Sequence, residues 1–216
     1  MPAGIFAIDV IIDVMMFTTI DTLDALRQRY PSPHGRSVAK QLSHLDRHCL
    51  AFIALSPFVV LATGGAEMDA SPRGGPPGFV KVTAAGTLLL PDFPGNNRLD
   101  SLGNLIDNGK IGLLFLIPGI DETLRVNGRA QLSDDPALIE NFAQEKRMPK
   151  LVIEVTVREA YLHCAKALMR SQLWDPASSQ PRTVLPTMGQ MLNDHTGMTQ
   201  APETQQEMET RYAPDL

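Results

Sequence analysis

The stretch IGLLFLIPGIDETLRVNGRAQL, residues 111–132, decides the fold. Residues 111–117 are apolar throughout, whereas apolar and polar residues alternate over residues 123–132. Pro118-Gly119 lies between the two segments and is typical of a turn. The stretch therefore predicts two neighbouring strands, the first buried and the second with one face on a core. Gly128 interrupts the second strand and predicts a β-bulge there.

Other segments on either side have the composition of short strands and of helices. The further strands are predicted at residues 58–63, 79–82, 87–90 and 151–157. The helical patterns cover residues 22–30, 37–55, 97–108, 135–145, 165–173 and 187–192. Asn96 or Asn97 is expected to cap the third helix, and residues 69–78, rich in proline and glycine, are expected to form a loop. This order predicts a mainly β protein, an antiparallel barrel of six or so strands with helical additions.

Composition excludes several classes of protein. The chain has 216 residues, 44% of them hydrophobic and 20% charged, which is the composition of a globular protein. The net charge of −5 argues against a general nucleic-acid binder, and no apolar stretch reaches the length of a membrane span. Residues 176–216 hold two basic and five acidic residues, so most of the negative charge lies in the last fifth. The two cysteines exclude a disulfide framework and favour a reduced, cytoplasmic protein.

Residues 1–18 are apolar, yet they differ from a signal peptide. No basic residue precedes Arg27, and Asp9 and Asp13 interrupt the apolar run. A poorly ordered terminus or an added edge strand is the preferred interpretation, and a membrane-associated leader is the alternative. A start at Met15 or Met16 would make residues 1–14 an upstream extension.

Three loops carry residues that suit an anionic ligand. The first is Ser71-Pro72-Arg73-Gly74, followed by Lys81, and the third is residues 122–125 at the start of a strand. In the second loop, residues 94–101, Arg98 and Ser101 flank the start of a helix. Free N–H groups and the dipole at such an end favour an anion, and the arginine fork matches phosphate oxygens. The loops together predict a phosphate site.

Three motifs in the same order reveal a family resemblance. They are SPRGGPPGF (71–79), PGNNRLDSL (94–102) and KALMRSQLWDP (166–176). They resemble the FMN-binding proteins related to pyridoxamine 5′-phosphate oxidase, in particular a bacterial branch of that family. The resemblance extends from about Ile20 to Asp194. It implies a split-barrel domain over residues 19–194, followed by a polar acidic tail at 195–216, and a homodimer that holds FMN at its interface.

The resemblance also implies which residues contact the cofactor. Arg98 corresponds to the arginine that holds the FMN phosphate, with Asn97 and Ser101 beside it. Other residues correspond to strands that approach the flavin from two sides. These are Phe79, Val80 and Lys81 on one side and Thr123 and Arg125 on the other.

The chain departs from the true pyridoxamine phosphate oxidases near its C-terminus. It lacks their Trp…Arg-Leu-His arrangement, which argues against pyridoxamine phosphate as the substrate. Arg73, Lys166, Arg170 and Trp174 are instead predicted to line a pocket for an acidic small molecule. The alternative is that Lys166 and Arg170 form a solvated helix face with Trp174 as a packing anchor.

The anion-binding loops and the family resemblance together imply a cytoplasmic flavin-dependent oxidoreductase in which the flavin accepts or gives the hydride. A second hypothesis is a flavin-binding or sensing module without turnover. A third keeps the fold but replaces FMN by a deazaflavin or heme. We expect no metal site, because His44 and His48, although four residues apart, have no evident third ligand. The partners expected are a second copy and a small-molecule substrate, with neither nucleic acid nor membrane.

Overall fold

The computed structural model describes residues 19–215, so the predicted extension at residues 1–18 lies outside the described residues. The chain divides into two compact units between Ala39 and Lys40. The described part of the first unit contains two short helices, α1 (Leu23–Arg27) and α2 (Gly35–Ala39). The predicted division between residues 194 and 195 stays a prediction.

The second unit is built on one antiparallel sheet. Its strands are β1 (Phe58–Gly64), β2 (Met68–Gly74), β3 (Lys81–Val82), β4 (Leu88–Asp92), β5 (Lys110–Leu116), β6 (Thr123–Ser133) and β7 (Leu151–His163). They lie in the order β2-β1-β5-β6-β7-β4-β3. The helices are α3 (Arg47–Leu55), α4 (Asp100–Asn108), α5 (Pro136–Ile139), α6 (Lys166–Ser171), α7 (Met188–Thr196) and α8 (Gln205–Tyr212). The predicted split barrel with helical additions is confirmed, with seven strands among the described residues where about six were predicted.

The two strands predicted from residues 111–132 pair as neighbours, β5 with β6. Burial alternates along β5, so the prediction of a strand buried on both sides was wrong. Ile111, Leu113 and Phe115 pack into the core, whereas Leu114 between them stays partly exposed. The predicted bulge is confirmed by a register shift at Asn127/Gly128 between β6 and β7. A Cβ on Gly128 would lie 2.3 Å from the carbonyl oxygen of Thr156, so the bulge needs glycine.

The helix predicted over residues 37–55 is interrupted, and that prediction was wrong. Leu42, between α2 and α3, forms a bridge to Ala160, with N···O distances of 3.0 and 2.8 Å. Backbone groups committed to a sheet partner cannot also make helical hydrogen bonds. Helix α3 is a separate helix whose N-cap is Asp46, and it buries Cys49, Phe52 and Ile53 in the core.

The prediction of a loop over residues 69–78 was wrong for its first half, which belongs to strand β2. Strand β2 pairs with β1 along its whole length, with Arg73 opposite Val59 and Pro72 opposite Val60. Pro72 has no N–H to donate, and β2 tolerates it because it lies at the edge of the sheet. The strand predicted over residues 79–82 is reduced to β3, because a tight turn in which Phe79 N donates to Pro76 O precedes it.

The C-terminal segment is more ordered than its polar composition predicted. The predicted helix at 187–192 is present as α7. Helix α8 was not predicted, although Thr204 and Glu207 form a capping box at its start. Among residues 19–215, no helix is long and apolar enough to cross a membrane.

Candidate functional site

A cavity of about 660 Å³ lies between the edge strand β2, the end of β4 and the start of α4. The loop that joins β4 to α4, residues 93–99, closes one side of it. Two of the three predicted anion-binding loops therefore meet in one place. Five of the predicted site residues line the cavity: Arg73, Phe79, Asn97, Arg98 and Ser101.

The loop before α4 is ordered by its own asparagines. The side chain of Asn96 accepts a hydrogen bond from the Arg98 backbone N–H at 3.0 Å, and Asn97 adopts a positive φ of 60°. The prediction that Asn96 or Asn97 caps the helix was wrong, because Leu99 occupies the N-cap and no side chain caps α4. The first turn of α4 thus enters the cavity lining without a side-chain cap on its N–H groups.

Arg73 is held at the cavity wall by several contacts. Its Nη1 donates to the Ser71 hydroxyl and to the Pro72 carbonyl oxygen, both at 2.9 Å. Its Nη2 lies 3.9 Å from a carboxylate oxygen of Asp92. Its Nε is buried and has no hydrogen-bond partner among the described residues. Buried donors are rarely left unpaired, so Arg73 keeps hydrogen-bonding capacity that its neighbours in the chain do not use.

Beside Arg73, two hydroxyls connect β2 to α4. Ser71 Oγ and Ser101 Oγ lie 2.9 Å apart, and Ser101 also donates to a carboxylate oxygen of Asp69. Ser101 is only 4% exposed. The hydroxyls therefore form a half-buried polar connection between Asp69 and Arg73.

Arg98 occupies the outer side of the cavity. Its side chain is 77% exposed, and its Nε donates to Asp100 at 2.8 Å. The hydrogen bond to Asp100 raises the pKa of Arg98 further, so the guanidinium is always charged. Because the group is solvated, it can turn towards a ligand at little cost.

Asp92 and Lys150 also line the cavity, and sequence reasoning missed both. Burial raises the pKa of Asp92, although the charges of Arg73 and Lys150 act in the opposite direction. The Lys150 N–H donates to the Asp92 carbonyl oxygen at 2.9 Å, where β7 begins to pair with β4. Only the pairing of these strands brings the two residues together, so no local motif could have revealed them.

Four predicted cofactor residues lie away from the cavity lining, and the first two are Val80 and Lys81. Val80 is buried in the main core. Lys81 donates to Glu145 at 3.2 Å and lies 6.0 Å from the ring centroid of Phe142. The strand partner of Lys81, Leu89, belongs to the small cluster around Phe142. Lys81 therefore contacts Glu145 and the Phe142 ring and does not line the cavity.

Arg125 lies on the opposite face of the sheet from Arg73. Directly opposed residues of antiparallel strands share a face, so Arg73 shares one with Val59, Phe115 and Leu124. Arg125, next to Leu124, points the other way, and its guanidinium lies 5.8 Å from the ring centroid of Tyr161. Thr123, the other neighbour of Leu124 on β6, also points away from the face of Arg73, and its side chain is buried. A single copy does not bring Arg73 and Arg125 to one ligand.

The remaining predicted substrate residues are also outside the cavity lining. Lys166 and Arg170 are exposed on α6. Trp174 follows α6 and donates its indole N–H to the Ile120 carbonyl oxygen at 2.9 Å. Within residues 19–215, no group of three or more His, Cys, Asp or Glu side chains could hold a metal ion.

Comparison with known proteins gives the family. Residues 45–164, more than half of the chain, match the sequence profile of the family described as pyridoxamine 5′-phosphate oxidase. No curated protein matches the chain.

Several solved structures resemble the fold at low sequence identity. HupZ of Group A Streptococcus is 18% identical with a TM-score of 0.45, and the match covers 55% of this chain and 93% of that one. An FAD binding protein from Mycobacterium smegmatis is 13% identical over 56% of this chain and 97% of that one, with a TM-score of 0.42. A nimC/nimA family protein from Clostridium acetobutylicum is 15% identical over 56% and 88% of the two chains, with a TM-score of 0.40.

Proposed function

The chain belongs to the pyridoxamine 5′-phosphate oxidase family, and we propose that it is an FMN-binding protein that acts as an oxidoreductase on a small molecule. The FMN phosphate would lie in the cavity between β2 and the start of α4. The observation that carries this proposal is that Arg73, Arg98 and the first turn of α4, which no side chain caps, line one cavity.

The donor set around the cavity suits a phosphate. A phosphate monoester carries up to two negative charges and accepts several hydrogen bonds, which two guanidinium groups and the N–H groups of a helix start can donate. Arg73, Arg98 and the first turn of α4 provide these donors. The carboxylates beside the arginines, Asp92 and Asp100, neutralise them when no anion is bound.

The size and the apolar part of the lining also fit a cofactor. Ligand pockets measure about 300–1,000 Å³ and combine apolar walls with a few polar groups, and this cavity measures about 660 Å³. Phe79, Pro91 and Leu102 contribute apolar wall beside the arginines. FMN supplies hydride transfer when it is bound, so the protein has to hold it and shield it from water.

The same proposal includes a homodimer. Arg73 and Arg125 lie on opposite faces of the sheet, so Arg125 and Thr123 could reach a flavin held at Arg73 only from a second copy. This geometry supports the resemblance-based hypothesis that FMN lies at an interface between copies.

The test is titration of the purified protein with FMN and with riboflavin, which lacks the phosphate, followed by flavin fluorescence. We expect Arg73→Ala and Arg98→Ala each to weaken FMN binding by about tenfold or more, the effect of removing a charge-assisted hydrogen bond. The matched control is Arg27→Ala on α1, which removes the same charge outside the barrel unit. Unchanged FMN affinity in both cavity variants would contradict the proposed phosphate site.

Spectra and reduction assays separate the alternatives. An absorption spectrum of the protein as purified distinguishes a flavin from a deazaflavin or heme. Bleaching of the bound flavin by NADH or NADPH, with turnover, would support an oxidoreductase. Bound flavin that no donor reduces catalytically would favour a sensing module, and a colourless protein that ignores added FMN would exclude flavin binding.

A further inference from the structure

We propose that Asp69 is a positioning residue that holds the Arg73 guanidinium in place for the anion, through the hydroxyls of Ser101 and Ser71. The proposal rests on the proposed function, because the anion is the FMN phosphate. It adds a role for a carboxylate that itself repels phosphate and that no motif of the sequence singled out.

The direction of each hydrogen bond in this connection is determined by its two ends. An ionised carboxylate only accepts and a guanidinium only donates. Ser101 therefore gives its single hydroxyl hydrogen to Asp69. Ser71 must then donate to Ser101 Oγ across the 2.9 Å contact, which leaves Ser71 Oγ as the acceptor for Arg73 Nη1. The bonds run in one sense, from Arg73 to Asp69.

The backbone places the members of this chain of bonds side by side. Asp69, Ser71 and Arg73 are alternate residues of β2, so their side chains share one face of the strand. Ser101 reaches them from the first turn of α4. Ser101, in the middle of the connection, is buried, so water has little access to replace a partner that this hydroxyl loses.

This arrangement changes the role expected for Ser101. Its hydrogen is already given to Asp69, so in this structure Ser101 is not a donor to a phosphate. Arg73, in contrast, keeps its Nε–H without a partner while Nη1 is anchored to Ser71 and to the Pro72 carbonyl oxygen. Loss of Asp69 would free both hydroxyls to rotate, and Ser71 would no longer be constrained to accept from Arg73.

The first test compares FMN and riboflavin affinities in Asp69→Ala. We expect FMN affinity to fall by about tenfold, the size of a coupled hydrogen-bond loss, with riboflavin affinity within about twofold of the wild type. Asp69→Ala in an Arg73→Ala background should no longer weaken FMN binding, because the residue through which Asp69 acts is gone and only its repulsion of the phosphate remains to be lost. Asp107→Ala on α4 is the matched control, since Asp107 is exposed and its removal changes the charge equally.

Conservative variants separate positioning from loss of folding. Asp69→Asn keeps an acceptor for Ser101 and should recover most of the FMN affinity. Ser71→Ala breaks the connection next to Arg73 and should reproduce the effect of Asp69→Ala. Thermal unfolding of each variant identifies any that is misfolded.

A second readout needs no flavin. In ¹H–¹⁵N spectra of arginine-labelled protein, the Nε–H signal of Arg73, assigned by its loss in Arg73→Lys, should exchange with water several times faster in Asp69→Ala. Unchanged exchange together with an unchanged FMN-to-riboflavin ratio would overturn the positioning role. Wild-type protein that binds no FMN would instead refute the proposed function, and the exchange rates would still decide whether Asp69 holds Arg73.

Discussion

At the scale of single residues, burial disfavours the charge of Asp92. Its side chain is 18% exposed, and burial raises its pKa although Arg73 and Lys150 are near. A carboxyl whose pKa is raised on folding destabilises the folded state at pH values above that pKa. The cost shrinks as the pH falls below the raised pKa and is gone below the pKa that the carboxyl has in the unfolded chain.

We therefore expect Asp92→Asn to raise the unfolding temperature at neutral pH, with the gain shrinking as the pH is lowered. Thermal unfolding across a pH series measures it, and Asp107→Asn on the exposed face of α4 is the control. A lower unfolding temperature for Asp92→Asn at neutral pH would mean that the attraction between Asp92 and Arg73 outweighs the cost of burial.

At the scale of elements, α3 depends on the cap at its start. The side chain of Asp46 accepts hydrogen bonds from the backbone N–H groups of His48 and Cys49 at 3.0 and 2.9 Å. These hydrogen bonds lower the pKa of Asp46, and the bond from the Cys49 N–H has the largest effect. The helix buries Phe52 and Ile53 in the main core, so its stability contributes to that of the whole unit.

Asp46→Ala should lower the free energy of unfolding by about 1 kcal/mol, as is typical for a lost N-cap. Asp46→Asn keeps an acceptor and should cost much less. Because the pKa of Asp46 is lowered on folding, its charge stabilises the protein above the unfolded pKa, and this contribution is lost as the pH falls through the folded one. Denaturant unfolding at neutral and acidic pH checks both statements, and equal stability of wild type and Asp46→Ala at neutral pH would contradict them.

At the scale of the whole molecule, the outer face of the sheet is the surface we propose for the second copy. Val60 on β1 and Leu114 on β5 lie opposite each other there and are only partly buried. Pro72 on β2 extends this apolar face towards the edge of the sheet, and Arg125 lies opposite Leu114.

Light scattering after size exclusion should therefore give about twice the chain mass of 23.6 kDa for the wild type. Leu114→Asp should give the single-chain mass and weaken FMN binding, because a buried charge disfavours the interface. Ile106→Asp on α4, also an exposed apolar residue, is the control and should leave the mass unchanged. A wild type that runs as a single chain would exclude the homodimer.

Part of the candidate site could be predicted from motifs and part could not. Arg73, Arg98 and Ser101 lie in short motifs and do line the cavity. Ser101 reaches Asp69 only because β2 approaches α4, and Asp92 meets Lys150 only because β4 pairs with β7. Such contacts join residues far apart in the chain, and no local spacing encodes them.

The sequence by itself determined the features that depend on a few neighbouring residues. Pro118-Gly119 turns the chain between two strands, Gly128 forms the bulge, and Asp135 starts α5 before Pro136. The tertiary structure decided that β2 is an edge strand despite Pro72, and that a bridge between Leu42 and Ala160 interrupts the predicted helix. The physical reason is that turns, caps and glycine requirements act within a few residues, whereas a backbone N–H or C=O takes the best partner that the folded chain offers, however distant.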